Sequence, residues 1–153
     1  MIKNDDTQFL FPSPNAFAAT LLIKYELLTK FGVDLGKNGN FKYVNSHDSV
    51  YKGVARNIGQ LGGGIQRTFN NFSTASDKEK IAEVYQTAAY PSHPIAVKPT
   101  MPQEDCAKII QALLDMPDDL KAALSMKKII VSNDEEFAVI RELSKKLDIV
   151  VRD

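Results

Sequence analysis

The sequence predicts an α/β fold with parallel strand pairs, a short sheet flanked by helices and further helices at the C-terminal end. Three observations carry this reading. Short apolar runs alternate with longer segments of helical periodicity. Each strand-to-helix junction holds residues suited to opening a helix: Pro12-Ser13-Pro14-Asn15, Ser46-His47-Asp48-Ser49 and Gly64-Ile65-Gln66-Arg67-Thr68. Strand then helix recurs three times up to about residue 88, whereas the chain beyond about residue 94 is mainly helical.

Thr7 to Phe11 reads as the first strand. Ser13 then Pro14 reads as a cap followed by the first helical position, because a cap oxygen meets free N–H groups and proline lacks one. The helix is expected from about Asn15 to Phe31, with Phe17, Leu21, Tyr25 and Leu28 at helical spacing and Gly32 as its stop. Lys37-Asn38-Gly39-Asn40 is turn chemistry. Phe41 to Asn45 reads as a second strand, and the cap residues Ser46 to Ser49 precede a helix from about Val50 to Asn57. Gln60 to Ile65 reads as a third strand, thinned by Gly62-Gly63-Gly64, and Thr68 to Phe72 as a short helix or turn. Residues 78 to 89 fit helix or strand. Tyr90-Pro91-Ser92-His93-Pro94 must be extended, since residues before proline avoid the helical region. Ile95 to Val97 reads as a strand.

The C-terminal third opens with a helix from Gln103 to Met116. Its apolar stripe contains Cys106, Ile109, Ile110, Leu113 and Leu114. Pro117 starts another helix. Asn133-Asp134-Glu135-Glu136 is a capping run before the last one, which uses Phe137, Ile140, Leu143 and Leu147.

Composition excludes several classes. The 153 residues carry 19 Lys and Arg against 19 Asp and Glu, a formal charge of zero. Nucleic-acid binding and polybasic membrane contact both need excess cations. No apolar run approaches the roughly 20 residues that span a bilayer. Met1 to Asp6 is polar and acidic, so no signal peptide is expected in this chain. The single cysteine cannot form an internal disulfide.

In parallel α/β sheets the strand-to-helix loops share one edge, where ligands bind. Ser13, Asn15, Ser46, His47, Ser49, Gln66, Arg67 and Thr68 would gather there. Helix N-termini favour anions, and this set has two potential cations and many neutral donors. It suits a small oxyanion better than a metal or a cation. A plainer reading stands beside it: Ser13, Asn15, Ser46 and Asp48 are ordinary caps, and Arg67 is a solvated charge. Gly62-Gly63-Gly64 marks close backbone packing. It is no phosphate loop, because the Lys-Ser/Thr ending is missing. A hydrolase built on His47 and Asp48 would need a nucleophile, and Cys106 lies on an apolar stripe where a thiol is inert. His47, His93 and Asp48 lack the short spacing of a metal site. No catalytic residue, metal or cofactor is therefore expected.

Four segments resemble a known family: Phe11-Pro12-Ser13-Pro14-Asn15-Ala16-Phe17-Ala18-Ala19, Tyr43 to Tyr51, Leu61 to Phe69, and Tyr90 to Val97. In this order and spacing they are similar to the phosphate/phosphite/phosphonate-binding proteins of ABC transporters, a branch of the type 2 periplasmic binding proteins. The resemblance covers about residues 7 to 115. It implies two α/β lobes joined by hinge strands, in chains about twice this length. Residues 1–80 would be the second lobe, 81–92 a hinge or crossover strand, and 93–153 a mainly helical segment of the first lobe. It also implies a non-enzymatic solute-binding role, a membrane permease as partner, and a periplasmic or cell-surface location. The C-terminal helices would lack the lobe they pack on, which leads to the expectation of a homodimer exchanging that segment. The alternative is a ligand-sensing or protein-interaction module derived from such a binding protein.

The family's site residues carry over unevenly. Its loop after the first strand often places Ser-Thr-Ser at the helix start, and the matching residues are Pro14, Asn15 and Ala16. Ser13, the Asn15 amide and backbone N–H groups would substitute. The family's histidine after the second strand matches His47. Acidic residues after the third strand are replaced by Gln66 and Arg67, and a hinge carboxylate by His93. These exchanges favour a fully ionised phosphorus oxyanion over an aminoalkyl phosphonate. The expected contacts are Ser13, Asn15, Ser46, His47, Gln66, Arg67, Ser92 and His93.

Overall fold

A computed structural model describes residues 6–72 and 75–149. The chain divides into two compact units, Met1–Ala89 with Ile140–Asp153, and Tyr90–Val139.

The first unit is built on three parallel strands, β1 (Phe9–Phe11), β2 (Phe41–Tyr43) and β3 (Leu61–Gly62), in the order β2-β1-β3. Phe9 and Phe11 register with Phe41 and Tyr43 on one side, and Leu10 registers with Gly62 on the other. A central parallel strand is covered on both faces, so its residues are apolar without interruption. Alternation sends Phe9 and Phe11 into a cluster with Leu27, Val33 and Leu35, and Leu10 into one with Val50, Tyr51 and Phe72. The α/β class and the parallel pairing match the sequence reading.

The first helix starts differently from expectation. Ala16, not Ser13, occupies the capping position, with no side-chain cap. Residues Phe17–Leu21 form a wide π turn, in which Thr20 N and Leu21 N both reach Ala16 O. The helix α1 (Leu22–Phe31) follows and stops at Gly32, whose φ of 68° is left-handed. The cause is Thr20. Its buried hydroxyl donates to Ser13 O at 2.7 Å, which ties the loop to the helix and makes Ser13 contribute its carbonyl to the turn.

Residues 35 to 38, read partly as turn, form the single helical turn α2 (Leu35–Asn38). The Asp34 carboxylate accepts from Gly36 N and Lys37 N and so supplies the cap. The helix α3 (His47–Ala55) starts three residues earlier than expected. The Ser46 hydroxyl oxygen caps it by accepting from Ser49 N at 3.0 Å. The short helices α4 (Gln66–Asn70) and α5 (Ala75–Lys78) complete the sequence of elements up to residue 80. Asp77 on α5 is buried and accepts from Arg56 at 3.1 Å.

Residues 81–98 have no regular secondary structure. The strand expected over 81–92 and the strand expected at Ile95–Val97 do not form. Among the described residues no strand pairs with this segment, and Pro91 and Pro94 remove two of its donors.

The second unit contains α6 (Gln103–Leu114) and α7 (Asp118–Ala123). Pro102 and Pro117 precede them, and Glu104, Asp105, Asp118 and Asp119 lie in their first turns, where anions meet the positive helix end. A 3-10 turn (Asp134–Phe137), capped by Asn133, leads into α8 (Ala138–Lys146). From Ile140 onward α8 belongs to the first unit, where Leu143 is buried.

Candidate functional site

The three strand-to-helix loops of the first unit leave one edge of the sheet, because all three strands are parallel. The hydrogen-bond ladder runs one residue past β2 and past β3. Val44 N donates to Phe11 O at 2.9 Å and Gly63 N donates to Leu10 O at 3.0 Å. This extension fixes where each loop begins. Ser13 and Asn15 lie on the first loop, Ser46 and His47 on the second, and Gln66 and Arg67 at the start of α4 after the third.

His47 is the first residue of α3, and its position follows from a tight turn before it. Asn45 adopts a left-handed φ of 69°, and Ser46 N donates back to Val44 O at 3.0 Å. Asparagine tolerates this conformation better than most residues. Ser46 is then extended, its hydroxyl spent on Ser49 N and on the Ser49 hydroxyl. His47 is half-buried, and its Nδ1 atom is buried without a hydrogen-bond partner among the described residues. A buried polar atom left unpaired costs about 1–3 kcal/mol.

Gln66 and Arg67 are exposed. Arg56 is paired with Asp77, but Arg67 makes no ion pair among the described residues. Its guanidinium fork is therefore uncommitted, and that geometry matches two oxygens of an oxyanion. Asp48, in the first turn of α3, competes for the same helix end. Its influence reaches Tyr51, whose hydroxyl is pushed above the ordinary 10.0 by burial first and by Asp48 as well, against a lowering hydrogen bond from Ile65.

Tyr51 was not singled out by the sequence. Its hydroxyl accepts from Ile65 N at 3.2 Å and donates to Ile65 O at 3.1 Å, holding the loop that delivers Gln66 and Arg67. The glycine run serves this packing. A Cβ on Gly63 would overlap the Ala19 carbonyl, and one on Gly64 would lie 2.7 Å from the Tyr51 ring. The run is steric in origin, in keeping with the close-packing reading. Tyr51, on the buried face of α3, gave no signal that separates it from ordinary core.

Ser13 is half-buried, and its carbonyl is engaged by Thr20. Asn15 is exposed beside it. Ser92 and His93 belong to the second unit, where both are exposed on the extended segment. Cys106, also in that unit, is half-buried and free, less enclosed than its stripe suggested. Among the described residues no group of three or more His, Cys, Asp or Glu is placed to hold a metal ion. No helix of the described residues is long and apolar enough to cross a membrane.

The parallel sheet thus brings His47, Gln66 and Arg67 to its loop edge, the place where ligands bind in open α/β sheets. The chain matches the family of ABC transporter, phosphonate, periplasmic substrate-binding proteins over residues 4–141. It belongs to that family, a substrate-binding component of transport rather than an enzyme family. No curated protein matches the chain.

Proposed function

We propose that the first unit binds a fully ionised phosphorus oxyanion (a phosphonate, phosphate or phosphite) at the loop edge of its sheet. His47 Nδ1 and the Arg67 guanidinium would supply the directed contacts. The Gln66 and Asn15 amides would complete the donor set, and the Ser46 cap would hold His47 in place. The observation that carries this reading is the buried, unpartnered Nδ1 of His47 at the start of α3. By the resemblance, Gln66 and Arg67 stand where the family often has acidic residues, which supports a ligand without an ammonium group. The bound ligand would be handed to an ABC permease on the periplasmic face of the membrane.

Isothermal titration with phosphate, phosphite and methylphosphonate tests the assignment. One of them is expected to bind, and Arg67→Glu is expected to abolish that binding by placing a carboxylate against the anion. Unchanged affinity in Arg67→Glu would remove Arg67 from the site.

A second reading, a protein-interaction module derived from such a binding protein, is favoured by one observation. Ile110, Leu120 and Leu124 on the second unit are all exposed. Sedimentation separates the two readings. A monomer that binds an oxyanion supports the first. A dimer that binds none supports the second, with the C-terminal segment as the exchanged element.

A further inference from the structure

Glu26, on α1, is 1 % exposed and takes no part in the proposed site. A carboxylate removed from water must be compensated by charge and hydrogen bonds. Two of its partners form a triangle with it. Lys30, one turn along α1, places Nζ 3.0 Å from Oε1. The Tyr85 hydroxyl donates to Oε2 at 2.6 Å, and Lys30 Nζ donates to that hydroxyl oxygen at 3.2 Å. These contacts, Glu26 first, hold the Lys30 ammonium above its ordinary range. The Tyr85 ring meets Phe31 edge-on at 5.5 Å.

Tyr85 reaches α1 from a stretch that has no secondary structure of its own and is mostly exposed. Ile81 anchors the start of that stretch by packing on the Leu10 cluster. Tyr85 ties this segment to Glu26, Lys30 and Phe31 on α1. Ala89 is where the chain leaves the first unit for the second.

We propose that Tyr85, Glu26 and Lys30 form a releasable latch that fastens segment 81–89 to α1 and sets the route by which the chain leaves the first unit. Two features make release local. Tyr85 is 43 % exposed, so opening uncovers little apolar surface. Glu26 keeps Lys30 as its counter-charge when Tyr85 departs. Such openings lie at the low end of the stability range within a fold.

Limited chymotrypsin digestion of the full chain tests the latch, because cleavage after residue 85 requires the ring to leave α1. The Tyr85→Phe variant keeps the ring and the cleavage site and deletes only the hydroxyl. Cleavage after residue 85 is expected to rise about tenfold, the effect of losing one hydrogen bond to a charged acceptor. Glu26→Gln, which leaves Tyr85 intact, is expected to raise it as well. Cleavage after Phe9 and Tyr51, both in the core, should stay at the wild-type rate. Equal rates after residue 85 in wild type and Tyr85→Phe would overturn the latch. A rise at residue 85 matched by a rise at Phe9 and Tyr51 would overturn it too, since that pattern reports global unfolding.

Discussion

In the first unit Leu10, Phe11 and Val50 are at or below 1 % exposure, whereas in the second Ile110, Leu120 and Leu124 stay 46, 52 and 58 % exposed. Both units form helices by the same local chemistry. Ser46 caps α3 and Asn133 caps the turn before α8, while paired acids open α6 and α7. What differs is the surface beneath. The first unit has a central strand whose two faces gather two clusters. Among the described residues 90–139 none is buried. Local signals are therefore enough to write a helix, and burying one takes an apolar surface for its stripe to pack on.

This contrast can be broken by substitution. Phe11→Ala removes a ring with no exposure from the centre of the first unit and is expected to cost about 3–5 kcal/mol in urea unfolding. A smaller loss would mean that the core is looser than its packing indicates. Gly63→Ala is expected to cost about 1–3 kcal/mol, because its methyl would meet the Ala19 carbonyl and the Phe11 ring. A wild-type midpoint would show that this approach relaxes freely.

Alkaline pH sharpens the comparison from another side. Burial pushes the Tyr51 hydroxyl above the ordinary 10.0, and burial followed by Glu142 does the same for Tyr25. The folded chain keeps these protons where the unfolded chain has lost them. That stability is whole below about pH 10 and lost as pH rises beyond it. Thermal melts read alongside tyrosinate absorbance are expected to show the first unit loosening in that window. A melting point that is flat through it would contradict the burial of both rings. The smallest effect belongs to the second unit. Leu120→Ser and Leu124→Ser are each expected to change stability by about 0.5 kcal/mol or less in the monomeric chain. A loss near that of Phe11→Ala would place these side chains in a core.

Much of the fold was legible in the residues. Gly32, Ser46 and Asn133 signalled element ends that the structure keeps, and the uninterrupted Phe9-Leu10-Phe11 marks a strand covered on both faces. Where reading failed, a distant partner had overridden a local preference. Ser13 has good capping chemistry, but the helix starts at Ala16 and the Ser13 carbonyl is held by the Thr20 hydroxyl from within it. Glu83 to Thr87 has strand-like composition, yet a strand needs a neighbour, and Tyr85 is instead drawn to Glu26. At the candidate site, His47 and Arg67 were visible by type and position. The hold of Tyr51 on Ile65 was not, because a tyrosine on a buried helix face looks the same whether or not its hydroxyl fixes a loop.

The most direct test of oxyanion binding at the loop edge follows the His47 imidazole by nitrogen-15 NMR while methylphosphonate is titrated into the chain. His93, on the second unit, serves as the internal reference. A saturable shift at His47 Nδ1, lost in Arg67→Glu, is the expected result. A His47 signal that stays fixed, or moves only in step with His93, would contradict a site at this edge.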